Sequence, residues 1–403
     1  MNYNDTLNFI HSLGNFSLPA GLDRIKTVLD LLGNPQKQLK AIHIAGTNGK
    51  GSVSAMLANI FKTAGYKTGL FISPYIIDFR ERIQINGEYI SESDLIEYAE
   101  RVRKTEITLT EFEFITAIAF LYFKEQNIDI LICETGLGGR LDATNSLENK
   151  IACVLTKIGL DHTAILGDTI EQITEEKCGI LRDCPTVVAP GQERKALNII
   201  AQRDKNAFIP NLKELKITDR KNNIYIYKGK EYALSLKGEF QIENSLAVLE
   251  TVERSGYDIS YNVIYEALAS TFIPARMETV SDNPLIILDG AHNPDGAVKL
   301  AEELKRFNGE AVAIIGMMRD KAFEDFLKTA LIHCKTAIAV TVTGNPRSLS
   351  AEELKATTEK YCKCVSAESY FAALETAKNI CGNAPIFIFG SLYLAADIRK
   401  MLK

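Results

Sequence analysis

Several features are scarce or missing in this sequence of 403 residues. No stretch of about 18 consecutive apolar residues occurs, so we expect no membrane-spanning segment and no membrane partner. Lysine and arginine total 46 against 51 aspartates and glutamates, and this net charge of −5 argues against a nucleic-acid partner. The N-terminal residues have neither a cationic start nor an apolar signal core, so we expect no secretory leader.

Cysteine occurs eight times, but no two cysteines form a CxxC pair. Cys362 and Cys364 are close in sequence and have no partner pair at the spacing of a zinc site. We therefore expect reduced, mostly structural thiols and a cytoplasmic protein. Internal repeats are also missing. A GxSxG motif and a Cys-His signature are absent as well, which is consistent with chemistry that needs no covalent enzyme nucleophile.

Short apolar runs alternate with helical periodicity along the chain, which is typical of an α/β fold with parallel sheets. Strands are predicted at 41–45, 68–72, 128–133, 151–155, 285–288, 311–315, 337–342 and 386–389. Residues 222–227 and 232–236 indicate a small antiparallel patch, because 222–227 alternates at period two and a Lys-Gly-Lys turn separates the two runs. The length fits two domains, which we place at 1–274 and 275–403.

A glycine-rich turn separates the first predicted strand from a helical pattern. Glycine lets the backbone turn several N–H groups towards one anion, and the helix adds its positive N-terminal end. In such a phosphate loop Lys50 would reach the β/γ-phosphates of ATP and Ser52 would offer a hydroxyl to Mg²⁺. The alternative is a plain turn, because GxxxxGK[ST] would need glycine at Ile44 and serine or threonine at Gly51. The loop consists of Gly46, Thr47, Asn48, Gly49, Lys50, Gly51 and Ser52.

Polar residues also follow other predicted strands. A carboxylate such as Glu134 at the end of a buried strand points into the ligand crevice of an open sheet, and its oxygens suit Mg²⁺. A helix cap or a strand-end carboxylate without a ligand is the alternative. His43, His162 and His292 are placed at strand ends or loops, where a packed or capping histidine is the alternative to a ligand. From the sequence alone, Lys177 is a surface lysine on a helix.

Ordered motifs resemble one enzyme family. Residues 43–52 and 134–145 are similar to two signatures of folylpolyglutamate synthases, members of the Mur ligase superfamily. In that superfamily Lys-Gly-[Ser/Thr] is the usual form of the loop, so the departure noted above supports the resemblance. Residues 161–180 and 288–296 are similar to further blocks, and the resemblance extends from about residue 2 to residue 400.

The resemblance implies a fold and a reaction. The fold is an N-terminal P-loop domain of the Mur-ligase central type with the antiparallel patch, followed by a C-terminal Rossmann-like domain. The reaction is the ATP-dependent ligation of L-glutamate to a folate or to dihydropteroate through an acyl-phosphate. We expect a monomer whose partners are these small molecules.

The resemblance also implies residue roles. Two Mg²⁺ ions would be held by Ser52, Ser73, Glu134 and His162. Lys177 would be carbamylated and would act in catalysis with Lys50 and His162. The nucleotide would also be bound by Asn244, Arg276, Asp289 and His292, the last two on the ATP side of the interdomain cleft. The folate would be bound by Arg80, Arg82 and Ser391, although both arginines could equally be solvated.

Two other functions compete with this interpretation. Another Mur-type ligase of peptidoglycan synthesis would carry a nucleotide-sugar domain before the loop, and too few residues precede Gly46 for a domain of typical size. A non-catalytic P-loop switch would explain Lys50 but not the joint presence of Glu134, His162 and Asp289.

Overall fold

The computed structural model describes residues 2–14 and 18–402, so that Met1, 15–17 and Lys403 lie outside the described residues. The chain divides into two compact units. The first comprises Met1–Ser235 and Gln241–Thr271, and the second comprises Leu236–Phe240 and Phe272–Lys403. The division thus falls between 271 and 272, against a predicted 274, and the short segment Leu236–Phe240 joins the second unit.

The first unit contains two sheets and ten α-helices among its described residues. Its strands are β1 (Ala41–Ala45), β2 (Thr68–Phe71), β3 (Ile83–Ile85), β4 (Glu88–Tyr89), β5 (Ile130–Glu134), β6 (Lys150–Leu155), β7 (Thr186–Val188), β8 (Leu215–Asp219), β9 (Ile224–Tyr227) and β10 (Lys230–Ala233). Its helices are α1 (Tyr3–Ser12), α2 (Asp23–Leu31), α3 (Lys50–Thr63), α4 (Glu92–Arg103), α5 (Glu111–Glu125), α6 (Thr163–Leu166), α7 (Ile170–Cys178), α8 (Arg194–Arg203), α9 (Phe240–Arg254) and α10 (Tyr261–Ser270).

The larger sheet has the order β4-β3-β2-β5-β1-β6-β7. Five neighbouring strands run parallel, namely β2, β5, β1, β6 and β7, and β3 and β4 form an antiparallel edge. The central strands are buried at every position except Ile151, as expected for a sheet that is covered on both faces. The α/β fold with parallel sheets is therefore confirmed.

The core of the first unit is organised around α5. A capping box between Thr110 and Glu113 starts this helix, because each side chain satisfies a backbone N–H of the other. Apolar residues surround the helix on nearly all sides, and they pack against α1, α2, α4 and the sheet. The predicted antiparallel patch has a third strand, β8, which the prediction missed. It is a half-exposed edge strand with a register shift, so its apolar pattern is weak.

The second unit has one six-stranded sheet in the order β11-β12-β16-β13-β14-β15. The strands are β11 (Glu278–Asp282), β12 (Leu285–Leu288), β13 (Ala311–Ile315), β14 (Cys334–Val340), β15 (Lys363–Ala367) and β16 (Ile386–Phe389). The helices are α11 (Pro294–Leu304), α12 (Phe323–Ala330), α13 (Ala351–Thr358), α14 (Tyr370–Cys381) and α15 (Leu392–Leu402). All pairings are parallel except that of β11 with β12. Within the described residues, no helix is both long and apolar enough to cross a membrane.

Helix α2 offers a direct test of the packing. Leu29 is fully buried in the core, whereas Leu31 on the same helix is 62% exposed. We expect Leu29→Ala to lower the free energy of unfolding by about 2–5 kcal/mol, because it leaves a cavity. Leu31→Ala, the matched control, should change it by less than about 0.5 kcal/mol. Denaturant unfolding of both variants measures this, and equal losses would contradict the orientation of α2.

Candidate active site

The carboxyl ends of three neighbouring strands bring predicted site residues together. Strands β2, β5 and β1 are adjacent and parallel, so their carboxyl ends lie at one edge of the sheet. Gly46 follows β1, Ser73 follows β2, and Glu134 is the last residue of β5. Ligands of open α/β sheets bind at this edge.

The phosphate loop has the conformation that an anion site requires. Gly49 has φ +90°, and a Cβ there would lie 2.5 Å from the Asn244 Oδ1 atom. Glycine is therefore needed both for the backbone angle and for the close approach of Asn244. The N-cap of α3 is Gly49, which has no side chain that could bond the first N–H groups of the helix, and this leaves the helix start suited to a phosphate.

The loop is held in place from the adjacent strand. The backbone N–H groups of Thr47 and Asn48 both donate to the Lys157 carbonyl, at 2.8 and 3.1 Å. The Thr47 hydroxyl donates to the Gly159 carbonyl at 3.0 Å. A Cβ on Gly46 would collide with Thr156, which follows β6. The loop is thus fixed before any ligand binds, which lowers the entropy cost of binding.

Glu134 lies between Lys50 of the phosphate loop and Ser73, which follows β2. Its Oε1 atom is 3.9 Å from Lys50 Nζ, and the Ser73 N–H donates to its Oε2 atom at 3.4 Å. Ser52 in the first turn of α3 is buried. Hydroxyl and carboxylate oxygens are ligands that Mg²⁺ prefers, so this donor set fits Mg²⁺. No group of three or more His, Cys, Asp or Glu residues in the described chain could hold a metal, so phosphate or water oxygens would have to complete the coordination.

Lys177 is buried, so the interpretation of it as a surface lysine was wrong. Its side chain extends from α7 to the phosphate loop, where Nζ donates to the Gly46 carbonyl at 2.8 Å. Burial lowers the pKa of the Lys177 ammonium to about 7, and the positive charge of Lys50 contributes further. The uncharged form of Lys177 is therefore much more accessible near neutral pH than that of an ordinary lysine.

Two histidines have different settings. His162 precedes α6 with φ +50°, its side chain is 43% exposed, and its Nε2 atom lies 3.9 Å from Asp161 Oδ2. His43 is fully buried inside β1, so its placement at a strand end was wrong. The His43 Nε2 atom is 2.8 Å from the Thr144 hydroxyl, which itself donates to Asp142. His43 therefore belongs to the core, and its lowered pKa follows from burial and then from nearby positive charge.

Most polar residues of the signature at 134–145 support the structure. The Asp142 carboxylate accepts from the N–H groups of Leu137 and Thr144. The Asn145 side chain donates to the Gly179 carbonyl at 3.0 Å, and the Arg140 N–H donates to the Glu176 carbonyl at 2.8 Å. These bonds join the segment to the end of α7 and thereby help to position Lys177. The sequence prediction included these residues in the signature at 134–145 but gave them no role.

Arg80 and Arg82, which were predicted to bind the folate, both have partners within the protein, and Arg82 lies 3.9 Å from the Glu111 carboxylate of α5. Arg80 pairs with Asp78, with Nη2 and Oδ2 2.7 Å apart. Arg82 is buried, with its guanidinium 5.1 Å from the centre of the Tyr75 ring and 5.6 Å from that of Phe79. Arg82 is thus not a solvated surface residue, and its contact with substrate stays a prediction.

In the second unit, predicted residues gather where β12 and β16 end. The buried Asp289 carboxylate accepts from the N–H groups of Met277 and Ala291, at 3.0 and 2.8 Å. Burial raises the pKa of Asp289, and the charge of Arg276 opposes this rise. His292 donates from Nδ1 to the Gly290 carbonyl at 2.8 Å. The Gly390 N–H, next to the buried Ser391, donates to the Ala291 carbonyl, which joins the two strand ends.

Comparisons with known proteins agree along the whole chain. Residues 44–252 match the Mur ligase middle domain and residues 275–392 match the Mur ligase glutamate ligase domain. The folylpolyglutamate synthase of Lacticaseibacillus casei is 33% identical over 432 residues, covering 100% of this chain and 99% of that protein. The dihydrofolate synthase/folylpolyglutamate synthase of Bacillus subtilis is 35% identical, with 100% and 99% covered.

The chain belongs to the folylpolyglutamate synthase/dihydrofolate synthase family of Mur ligases. The structure of E. coli FolC in complex with DHPP and ADP superposes with a TM-score of 0.90 at 30% identity, covering 100% of this ligase and 98% of that chain. The resemblance predicted from the sequence motifs is thus confirmed. The protein is an ATP-dependent ligase, and its two-domain α/β architecture is that of its family.

The close approach at Gly49 gives a test of the nucleotide site in this ligase. Gly49→Ala should weaken ADP binding at least about tenfold, or by about 1.4 kcal/mol, because the new methyl group displaces Asn244 or the loop. Gly33→Ala is the matched control, since Gly33 has φ +83° and nothing within 4 Å of an added Cβ. Calorimetric titration with ADP measures both variants, and an unchanged affinity in Gly49→Ala would contradict the assigned loop.

Proposed function

We propose that this ligase joins the amine of L-glutamate to the carboxylate of a folate, of dihydropteroate or of both, through an acyl-phosphate formed with ATP. Glutamate ligation with ATP is the reaction of the family to which the chain belongs. The single observation in the structure that supports it most is the contact of Lys50 with Glu134 beside an uncapped helix start. The relative from Bacillus subtilis carries both activities in its name, which motivates testing both acids.

The chemistry explains why these groups are needed. A carboxylate is a poor electrophile until one of its oxygens is phosphorylated. In the proposed reaction, a carboxylate oxygen of the folate attacks the γ-phosphorus of ATP, and ADP leaves. The glutamate amine then attacks the acyl carbon, and phosphate leaves as the amide forms. No bond to the enzyme is made, so positioning and charge stabilisation account for catalysis.

The residues of the first unit have distinct tasks in this proposal. The N–H groups at the start of α3 and the Lys50 ammonium would hold the β/γ-phosphates. Glu134, Ser52 and Ser73 would hold Mg²⁺, which when bound neutralises charge that develops on the transferred phosphoryl group. His162 stays a predicted ligand of a second ion. Arg276, Asp289, His292 and Ser391 stay predictions for nucleotide and substrate, as do Arg80, Arg82 and Asn244.

Lys177 fits the proposed carbamate for two physical reasons. Carbon dioxide reacts only with a neutral amine, and burial lowers the pKa of this amine to about 7. The reaction forms an N–C bond and releases one proton, and the carbamate nitrogen keeps an N–H. That N–H can still donate to the Gly46 carbonyl. The carbamate would add an anionic group beside Lys50, as a ligand that orders the second Mg²⁺.

Oxygen-18 labelling gives a decisive test of the reaction. The protein is incubated with ATP, glutamate and either dihydropteroate or tetrahydrofolate, each labelled in the carboxylate that reacts. We expect ADP and amide to form together and one labelled oxygen to appear in inorganic phosphate, because the bridging oxygen comes from the acid. Mass spectrometry of the phosphate measures this transfer.

Reactions without glutamate and without the acid are the controls. Turnover with both acids would establish a bifunctional ligase, and turnover with one would assign its substrate. Label in AMP instead of phosphate would contradict the acyl-phosphate. Absence of glutamate-dependent turnover with either acid would contradict the folate substrate while leaving the ATP site in place.

A second test concerns Lys177. Lys177→Ala should lower kcat by about 10- to 100-fold, the usual effect of losing a group that orders metal ligands, and a short carboxylic acid should restore part of it. Lys195→Ala is the control, because Lys195 is 66% exposed and pairs with Glu171 on the surface. Steady-state ATP turnover with and without added acetate measures both. Full activity of Lys177→Ala without added acid would contradict the carbamate.

A further inference from the structure

Two of the eight cysteines have their thiols in contact. The Sγ atoms of Cys153 and Cys184 are 3.7 Å apart. Cys153 lies in β6, and Cys184 lies two residues before β7. The Cys153 N–H donates to the Pro185 carbonyl at 2.9 Å, so backbone pairing holds the two residues side by side. The pairing of the two backbone segments therefore keeps the thiols in contact.

The two thiols differ in access to solvent. Cys184 is half-buried and lines a cavity of about 540 Å³, whose wall consists of residues 181–186 and of Arg203, Asp204 and Asn206. Cys153 is fully buried. A small dissolved reagent therefore reaches Cys184 first, and Cys153 can react only with a group that is already on Cys184.

Positive charge beside the pair favours the reactive form of Cys184. The Lys150 ammonium and the Arg182 guanidinium are both anchored on the Asn145 side-chain oxygen, at 2.7 and 2.9 Å. The hydrogen bond with Cys153 lowers the pKa of the Cys184 thiol, and these two cations lower it further. The thiolate is the nucleophilic form of cysteine.

Other cysteines of the chain provide a contrast. Burial raises the pKa of the Cys362 thiol to about 11 and that of Cys364 to about 12. These thiols stay protonated near neutral pH and react slowly. Cys362 is also half-buried, so exposure alone does not distinguish it from Cys184.

We propose that Cys153 and Cys184 form a redox modification site at which a peroxide produces a disulfide bond. In the first step the Cys184 thiolate attacks one oxygen of hydrogen peroxide and the O–O bond breaks, which forms a sulfenic acid on Cys184. The hydroxide that is released takes up a proton and departs as water. In the second step Cys153 attacks that sulfur, the S–S bond forms, the S–O bond breaks, and a second water leaves with the Cys153 proton. The two cysteines lose two electrons, and the peroxide accepts them.

The thiol chemistry of this site is separate from the ligation reaction. Neither thiol is among the groups assigned to ATP, Mg²⁺, glutamate or folate above. Its test therefore uses a covalent readout and needs no substrate. Failure of this proposal and failure of the proposed ligase activity are consequently independent results.

Peptide mapping of the full chain tests the site directly. The reduced protein is treated with hydrogen peroxide, blocked with N-ethylmaleimide and digested with trypsin without reductant. Cleavage after lysine and arginine places Cys153 in peptide 151–157, Cys184 in 183–194 and Cys178 separately in 178–182. We expect 151–157 and 183–194 to appear as one linked species, lighter than their sum by two hydrogens and lost on treatment with dithiothreitol. Cys362 and Cys364 should stay blocked by maleimide.

Variants assign the two roles. Cys184→Ser should abolish the linked species, and Cys362→Ser, the matched control, should retain it. Cys153→Ala should leave a sulfenic acid on Cys184 that dimedone traps. If Cys153→Ala does not fold, comparison of the peptide maps of the unmodified protein and of Cys184→Ser still tests whether the linked species forms through Cys184. Oxidation of Cys184 without linkage to 151–157, or oxidation of Cys362 before Cys184, would overturn the proposal.

Discussion

The parallel pairing of β1 with β5 on one side and with β6 on the other is the constraint on which the site depends. It places the end of β5 beside the start of the phosphate loop, so that Glu134 meets Lys50. It also places the Lys157 carbonyl, just after β6, where two loop N–H groups donate to it. The contact of Glu134 with Lys50 depends on this register, because a one-residue slip of β5 would turn the Glu134 side chain to the opposite face of the sheet.

Two lysines next to one loop create an electrostatic problem that the structure resolves in two ways. The Lys50 ammonium has the Glu134 carboxylate at 3.9 Å as its partner. Lys177 is buried, and burial together with the charge of Lys50 moves its pKa to about 7, so that it is often neutral. A lysine in this state donates to the Gly46 carbonyl without adding a full second charge. The hydrogen bond from Lys177 to Gly46 therefore positions the loop, while Lys50 supplies most of the positive charge that faces a bound phosphate.

Local patterns predicted much of this architecture. The strands at 41–45, 285–288, 311–315 and 386–389 agree with the structure residue for residue. The last three are continuous apolar runs, the first is interrupted by His43, and all four are bounded by polar or turn-forming residues. The burial of Lys177 could not be predicted in this way, since its partner Gly46 is 131 residues away in sequence. The placement of His43 failed for a similar reason, because its hydrogen-bond partner in the core, Thr144, is distant in sequence.

The segment 134–145 shows that membership of a motif and chemical participation are different properties. Glu134 alone among its polar residues faces the phosphate loop through Lys50. Asp142 bonds within the segment, and Asn145 and Arg140 bond to the end of α7. Gly139 completes this contact, since a Cβ there would lie 2.7 Å from the Glu176 carbonyl. Because α7 carries Lys177, these residues act on the phosphate loop through the position of one helix, and a substitution among them would disturb the loop without removing any group that touches ATP.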